Sequence, residues 1–323
     1  MKIFYKEKFA SGQRNIYFCG VKIYSYTPSE YRNIKIWKNK FCHILKYKYV
    51  LDAVPETKII DGYSDCIWQL WFQGENNAPE IVKKCISSVK KYCREYNKKY
   101  VLLTEENIFD YVKVPDFMLE KYKAGIFSKT NFSDYIRLLL LSQYGGTWID
   151  ATVLLTGPIP TEIYQQDFFQ FKNLPWLNLQ NQKVPTEEQL HAIAEFYPRN
   201  NVYISGSSWF IHAKPNCVLI NATLKIWEEY WKNENKLIDY FLFHYILTFV
   251  IVNNKEAGKI FNKSLSLWNG ERLMRLAGML LWRIDEAKFA AITEFAPIHK
   301  LTYKYDFTQS KKSSISDFCL NCR

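Results

Sequence analysis

Two short stretches of the chain concentrate side chains able to handle a charged, hydroxyl-rich ligand. The first is Ser133-Asp134-Tyr135-Ile136-Arg137, and the second is Gly145-Gly146-Thr147-Trp148-Ile149-Asp150-Ala151-Thr152. Asp134 and Arg137 stand three apart, so on a helix they share a face and can grip one ligand together. The glycine pair allows the backbone to turn tightly into a strand. Asp150 then closes an otherwise apolar strand, where a carboxylate is costly unless a cation or hydrogen-bond donor meets it. In an open α/β sheet, ligands bind at the carboxyl ends of strands, where this Asp falls. Sugar transfer from a nucleotide sugar needs such groups. The charge on the departing diphosphate must be neutralised by a metal or by basic residues, while carboxylates and Arg hold the sugar hydroxyls. Asp150 suits the metal or ribose role, and Asp134 with Arg137 suits the sugar grip. Taken singly, the three read as a helix cap, a surface arginine and a turn aspartate; taken together, the ligand-binding reading is preferred.

The elements that must position these residues are legible on both sides. Cys66–Phe72 is a continuous apolar run that predicts a buried strand, followed by a turn at Gly74–Asn77. Pro79 and Glu80 open a helix in which Ile81, Val82, Cys85, Ile86, Val89, Tyr92, Cys93 and Tyr96 recur at helical spacing, with lysines between them. Tyr100–Leu103 is a second strand, so this strand–helix–strand unit predicts a parallel sheet. A short helix is expected over Pro115–Lys123, and a stronger one from Asn131 or Ser133 to about Gln143. One strand is expected over Thr147–Leu155, and helices over Pro215–Asn233 and Lys236–Val252. Ser205-Gly206-Ser207-Ser208-Trp209 reads as a loop, where Trp209 either stacks on an acceptor sugar or simply precedes a strand.

The chain has 323 residues, of which 48% are hydrophobic and 17% aromatic, enough to bury one large α/β domain and too much for a disordered chain. Its 43 Lys and Arg exceed its 32 Asp and Glu, giving a net charge of +11, which attracts anionic partners or merely solvates a basic protein. Residues 1–60 read as a basic N-terminal extension, 61–310 as the catalytic domain and 311–323 as a tail. Within the extension, Ile34, Trp37, Phe41, Ile44 and Leu45 follow helical spacing with cations between them. Such a helix either packs on the main domain or lies on an anionic bilayer, and packing is preferred. The eight cysteines lack the spacing of a disulfide framework, and Cys319 with Cys322 has no second pair to complete a zinc site. The first ten residues do not read as a signal peptide. The longest apolar run, Leu237–Val252, has 16 residues and contains Asp239 and His244, too short for a membrane span. A cytoplasmic location is expected, with peripheral contact to the inner membrane face and no nucleic acid.

Five motifs stand in order over about residues 60–305. They are Trp71-Phe72-Gln73-Gly74 with Asn77-Ala78-Pro79-Glu80; Phe132-Ser133-Asp134 with Arg137; Tyr144-Gly145-Gly146 with Trp148-Ile149-Asp150-Ala151-Thr152; Asp239-Tyr240-Phe241-Leu242-Phe243-His244; and His299-Lys300-Leu301-Thr302-Tyr303-Lys304. This set resembles the capsular polysaccharide synthesis glycosyltransferases, relatives of the DXD-type sugar transferases. Its Asp-x-x-Arg, Gly-Gly, Asp spacing is also similar to that of clostridial glucosylating toxins. The resemblance implies a GT-A fold, α/β with a mostly parallel central sheet and helical additions at both ends. It implies a hexose donor such as UDP-galactose or UDP-glucose, retention of configuration, and a glycan or lipid-linked oligosaccharide acceptor. It assigns Trp71, with Gln73 beside it, to the nucleotide, Asp134 and Arg137 to the donor sugar, and Asp150 to the first DXD position. Thr152 departs from the pattern, since it stands where the second Asp is expected and is a weak ligand for Mn²⁺ or Mg²⁺. Either His299 completes such a metal site, as late histidines do in some related transferases, or metal binding is weak or absent.

Asp239 is expected to line the cleft and orient acceptor or donor sugar, while His244 reads equally as a core histidine. Lys300 and Lys304 either close over the diphosphate or are ordinary surface lysines. No nucleophile–His–acid triad and no Walker or dinucleotide fingerprint is present, so hydrolase and dehydrogenase readings lack support. The rivals are a degenerate, non-catalytic glycan- or membrane-binding fold, for which Thr152 argues, and a sugar-phosphate transferase.

Overall fold

The computed structural model of the chain describes residues 4–8, 14–18, 21–26, 39–173, 204–268, 270, 272–280 and 286–304. Near the N-terminus, β1 (Phe4–Lys8), β2 (Arg14–Phe18) and β3 (Val21–Tyr26) form an antiparallel meander that the sequence reading did not anticipate. A short helix, α1, spans residues 39–45. Its Phe41 and Ile44, followed by Tyr47 and Val50, join the main apolar core, and Phe41 meets Phe249 edge-on at 5.3 Å. Packing on the main body is therefore observed for this segment, while Ile34 and Trp37 lie outside the described residues.

The central sheet has the mixed α/β build expected, with mostly parallel strands. Its elements are β4 (Ile67–Leu70), α2 (Glu80–Glu95), β5 (Tyr100–Leu103), α3 (Ile108–Tyr111), α4 (Asp116–Lys123), α5 (Lys129–Gln143), β6 (Gly146–Ile149), β7 (Val153–Leu155), β8 (Phe168–Lys172) and β9 (Gly206–Ala213). Strands run in the order β5-β4-β6-β9-β8. The first three are parallel, as the strand–helix–strand reading requires, and β9 inserts antiparallel between β6 and β8. Thus Ser205–Trp209 is mostly strand rather than loop, and Trp209 is buried on Phe171 with ring centroids 5.1 Å apart. It has no free face for an acceptor sugar.

Burial explains the helices. On α2 the apolar residues Ile81 to Cys93 are buried, and that face covers β7. Helix α5 starts earlier than expected because Ser128 caps it, its hydroxyl accepting from the Asn131 amide at 3.3 Å and donating to Asn131 Oδ1 at 2.8 Å. Most of α5 is buried, including Asp134 and Arg137. Beyond the sheet lie α6 (Val218–Asn233), α7 (Leu242–Asn253), α8 (Lys255–Lys263), α9 (Arg275–Met279) and α10 (Glu286–Phe295), with a last strand, β10 (Ile298–Lys300), paired antiparallel to β7. Helix α7 begins later than its apolar run, since Asp239 Oδ1 accepts from the Phe241 amide at 2.8 Å ahead of the first turn. Among the described residues no helix is long and apolar enough to cross a membrane, and Cys42, Cys66, Cys85, Cys93 and Cys217 are free thiols.

Candidate active site

The predicted strand over Thr147–Leu155 is broken where the chemistry lies. β6 ends at Ile149 and β7 begins at Val153, and Asp150, Ala151 and Thr152 form the turn between them. The turn is pinned by backbone bonds from Asp150 N–H to Trp209 O (2.8 Å) and from Val153 N–H to Asp150 O (3.0 Å), and by Gln69 Nε2 donating to Asp150 O (3.2 Å). Upstream, Gly145 and Gly146 have φ of +68° and +93°, and a Cβ on Gly146 would meet Cys66 O at 2.4 Å. The glycine pair is therefore required by both conformation and close approach.

This turn brings the two sequence motifs together. Arg137 donates from Nη1 to Asp134 Oδ1 at 2.6 Å and from Nη2 to Asp150 Oδ1 at 3.2 Å. Its guanidinium also lies over the Trp148 ring at 4.7 Å and the Phe243 ring at 5.2 Å. Trp148 Nε1 donates to the same Asp150 Oδ1 at 2.8 Å. From β10, Lys300 Nζ donates to Asp150 Oδ2 at 2.7 Å and to Thr152 Oγ1 at 2.5 Å. Every described donor to the Asp150 carboxylate is thus cationic or an indole N–H, which meets the cost of placing a charge there. Burial alone would raise the Asp150 carboxyl, but Lys300 and Arg137 together hold it down at about 2. At Asp134 burial prevails over the pull of Arg137 and lifts the carboxyl to about 6. Two carboxylates joined by one guanidinium are therefore driven in opposite directions.

A cavity of about 470 Å³ opens over this cluster, at the carboxyl ends of β4 and β6. Trp71 and Gln73, directly after β4, line one wall, and Tyr303 meets Trp71 edge-on at 5.2 Å. Arg137, Asp150, Thr152, Lys300 and Lys304 line it as well, so most of the predicted site residues converge. Asp134 lies buried behind Arg137 and reaches the cavity through it. Asp239 does not line the cavity; it pairs with Lys40, and its neighbour Tyr240 lines the cavity instead. His244 is not in the lining either. Its Nδ1 is buried with no hydrogen-bond partner among the described residues, and burial first, then Arg137, keeps the ring neutral with its pKa lowered to about 3. Sequence reasoning missed Trp148 as a ligand of Asp150. The signal was available, because on the strand expected over Thr147–Leu155 these two residues, two apart, share a face.

His299 also stands apart. In the β7–β10 ladder Lys300 pairs with Val153 and His299 with Leu154, so alternation turns His299 to the other face. There its Nε2 lies 3.1 Å from Thr156 Oγ1, and burial lowers its pKa to about 4. The oxygens expected to hold a divalent cation are thus Asp150 Oδ2 and Thr152 Oγ1, and one ammonium bonds both. A hard divalent cation held by protein alone needs several oxygen ligands, whereas Mg²⁺ otherwise relies on one or two carboxylates with waters and substrate phosphates. Among the described residues no group of three His, Cys, Asp or Glu gathers to supply them. This donor set is thus filled by an ammonium, and among the described residues it makes no protein-only cage for a divalent metal.

The profile of the capsular polysaccharide synthesis protein family matches residues 20–319, and the chain belongs to that family. No curated protein matches it.

Proposed function

We propose that the chain is a glycosyltransferase that moves a hexose from a UDP-sugar to a growing glycan during capsular polysaccharide synthesis. Family membership supports a role in capsule synthesis, and the cavity supports the reaction class. The observation that carries the reading is its lining: among the described residues, four cations, Lys129, Arg137, Lys300 and Lys304, and one carboxylate, Asp150, line it beside Trp71 and Tyr303, and Arg137 and Lys300 bond that carboxylate. A cationic floor beside an aromatic wall is complementary to a diphosphate attached to a flat base. In this reading Trp71 and Gln73 hold the uracil, while Arg137, braced by Asp134, holds the donor sugar. Donor candidates are UDP-galactose and UDP-glucose, transfer retains anomeric configuration, and the acceptor is a glycan or lipid-linked oligosaccharide at the inner membrane face.

A panel of UDP-sugars incubated with purified protein and capsular oligosaccharide tests this. The expected products are a hexose-extended oligosaccharide by mass spectrometry and an equal amount of UDP. Release of UMP would instead make the protein a sugar-phosphate transferase, and failure to bind or consume any UDP-sugar would sink the reading.

A further inference from the structure

We propose that Lys300 is the catalytic cation of this site, neutralising the departing diphosphate in place of a divalent metal. The inference rests on the glycosyl-transfer reading and specifies how that site handles charge.

Three observations carry it. First, the Lys300 ammonium bonds both Asp150 Oδ2 and Thr152 Oγ1, the two oxygens at which a metal would enter. Second, it is held rigidly. β10 pairs Lys300 with Val153, and the next amide, Leu301 N–H, donates to Thr152 O at 2.8 Å. These bonds fix its backbone, and the two Nζ bonds anchor the far end of a four-carbon side chain that is normally mobile, so less ordering remains when a ligand arrives. Third, an ammonium has three N–H donors, and the described residues take only two. The third is available to a phosphate oxygen in the cavity that Lys300 lines. A divalent ion entering here would displace this ammonium and join four cations and a single carboxylate among the described lining residues.

In the transfer step, the bond between the anomeric carbon and the β-phosphate oxygen breaks, and its electron pair stays on that oxygen. The acceptor hydroxyl oxygen bonds to the anomeric carbon and gives its proton to the released diphosphate. The new charge on the leaving oxygen develops beside Lys300, which donates its free N–H there and keeps its proton. Asp150 and Thr152 are positioning residues for that ammonium.

Calorimetry on the full-length protein tests the assignment with two probes, UDP and uridine, in EDTA and in Mn²⁺. Wild type should bind UDP equally in both. Lys300→Met should weaken UDP by about tenfold or more, the loss of one charge-assisted bond. It should leave uridine unchanged, and Lys300→Arg should keep most of the affinity. UDP binding that requires Mn²⁺ and ignores Lys300→Met would overturn the assignment while leaving glycosyl transfer standing. Absence of UDP binding to wild type under either condition would overturn the transfer reading and the role of Lys300 together. Should Lys300→Met fail to fold, the EDTA comparison on wild type still decides.

Discussion

At the scale of single residues, the site turns on the carboxylate of Asp150, held among the described residues by three donors from three elements. Arg137 comes from α5, Trp148 from β6 and Lys300 from β10. Asp150→Ala removes the anchor of both cations, and turnover of the preferred UDP-sugar should fall about 10²–10³-fold. Wild-type turnover in that variant would place Asp150 outside the chemistry. Asp134 adds a pH dependence. Its carboxyl is lifted to about 6 by burial against the pull of Arg137, so it takes up a proton as pH falls through that value. Protonation weakens its grip on Arg137, and UDP-sugar turnover should decline on the acid side of about pH 6. Asp134→Asn, which does not titrate, should lower activity at neutral pH and flatten that limb; an unchanged limb in the variant would assign it to another group.

At the scale of elements, two turns decide whether the residues meet. The Gly145-Gly146 turn aims β6, and its second glycine combines φ of +93° with backbone 2.4 Å from any added Cβ. Gly146→Ala should cost about 1–3 kcal/mol or more, visible as a lower midpoint in urea unfolding. A variant as stable as wild type would show that the backbone there can relax. The Asp150–Thr152 turn then hands the chain to β7, and the β7–β10 register selects Lys300 rather than His299 for the site. Adding a second carboxylate by Thr152→Asp supplies the missing ligand for a hard cation, so UDP binding by that variant should gain a dependence on Mn²⁺ absent from wild type. Identical EDTA titrations of the two proteins would remove Thr152 from any role in metal choice.

At the scale of the whole molecule, the core runs past the boundary drawn at residue 60. Phe41, at 2% exposure, sits against Phe249 in the same cluster as α5, α6 and α7. Phe41→Ala should therefore destabilise the main body by about 3–5 kcal/mol in a single cooperative transition. A loss confined to the N-terminal segment would mean that it docks independently. Buried histidines add an acid sensitivity. Burial lowers His212 and His299 to about 4, below the ordinary 6.5 that they regain on unfolding. The unfolded chain then takes up protons first as pH drops, so the stability present above 6.5 is progressively lost down to about 4. The melting temperature should fall across that window, and His212→Asn, which cannot titrate, should reduce the slope.

Spacing alone placed Asp134 and Arg137 on one helical face, because a helix repeats every 3.6 residues whatever surrounds it. The apolar run at Ile67–Leu70, the amphipathic α2 and the following strand likewise fixed a parallel unit, since local pattern and chain connection suffice for that. The glycine pair announced its turn, because a positive φ is nearly a glycine property. What the sequence could not decide is which distant residues close on Asp150. Lys300 lies 150 positions away, and only the β7–β10 pairing determines that it, and not the adjacent His299, faces the carboxylate. A one-residue change of register would exchange the two. The same limit explains Trp209, whose exposure depends on β9 inserting antiparallel beside β6, and Asp239, whose partner Lys40 comes from the far end of the chain. Local periodicity is set by covalent geometry, whereas the pairing of remote strands is set by the burial of the whole core, and that exists only in the folded molecule.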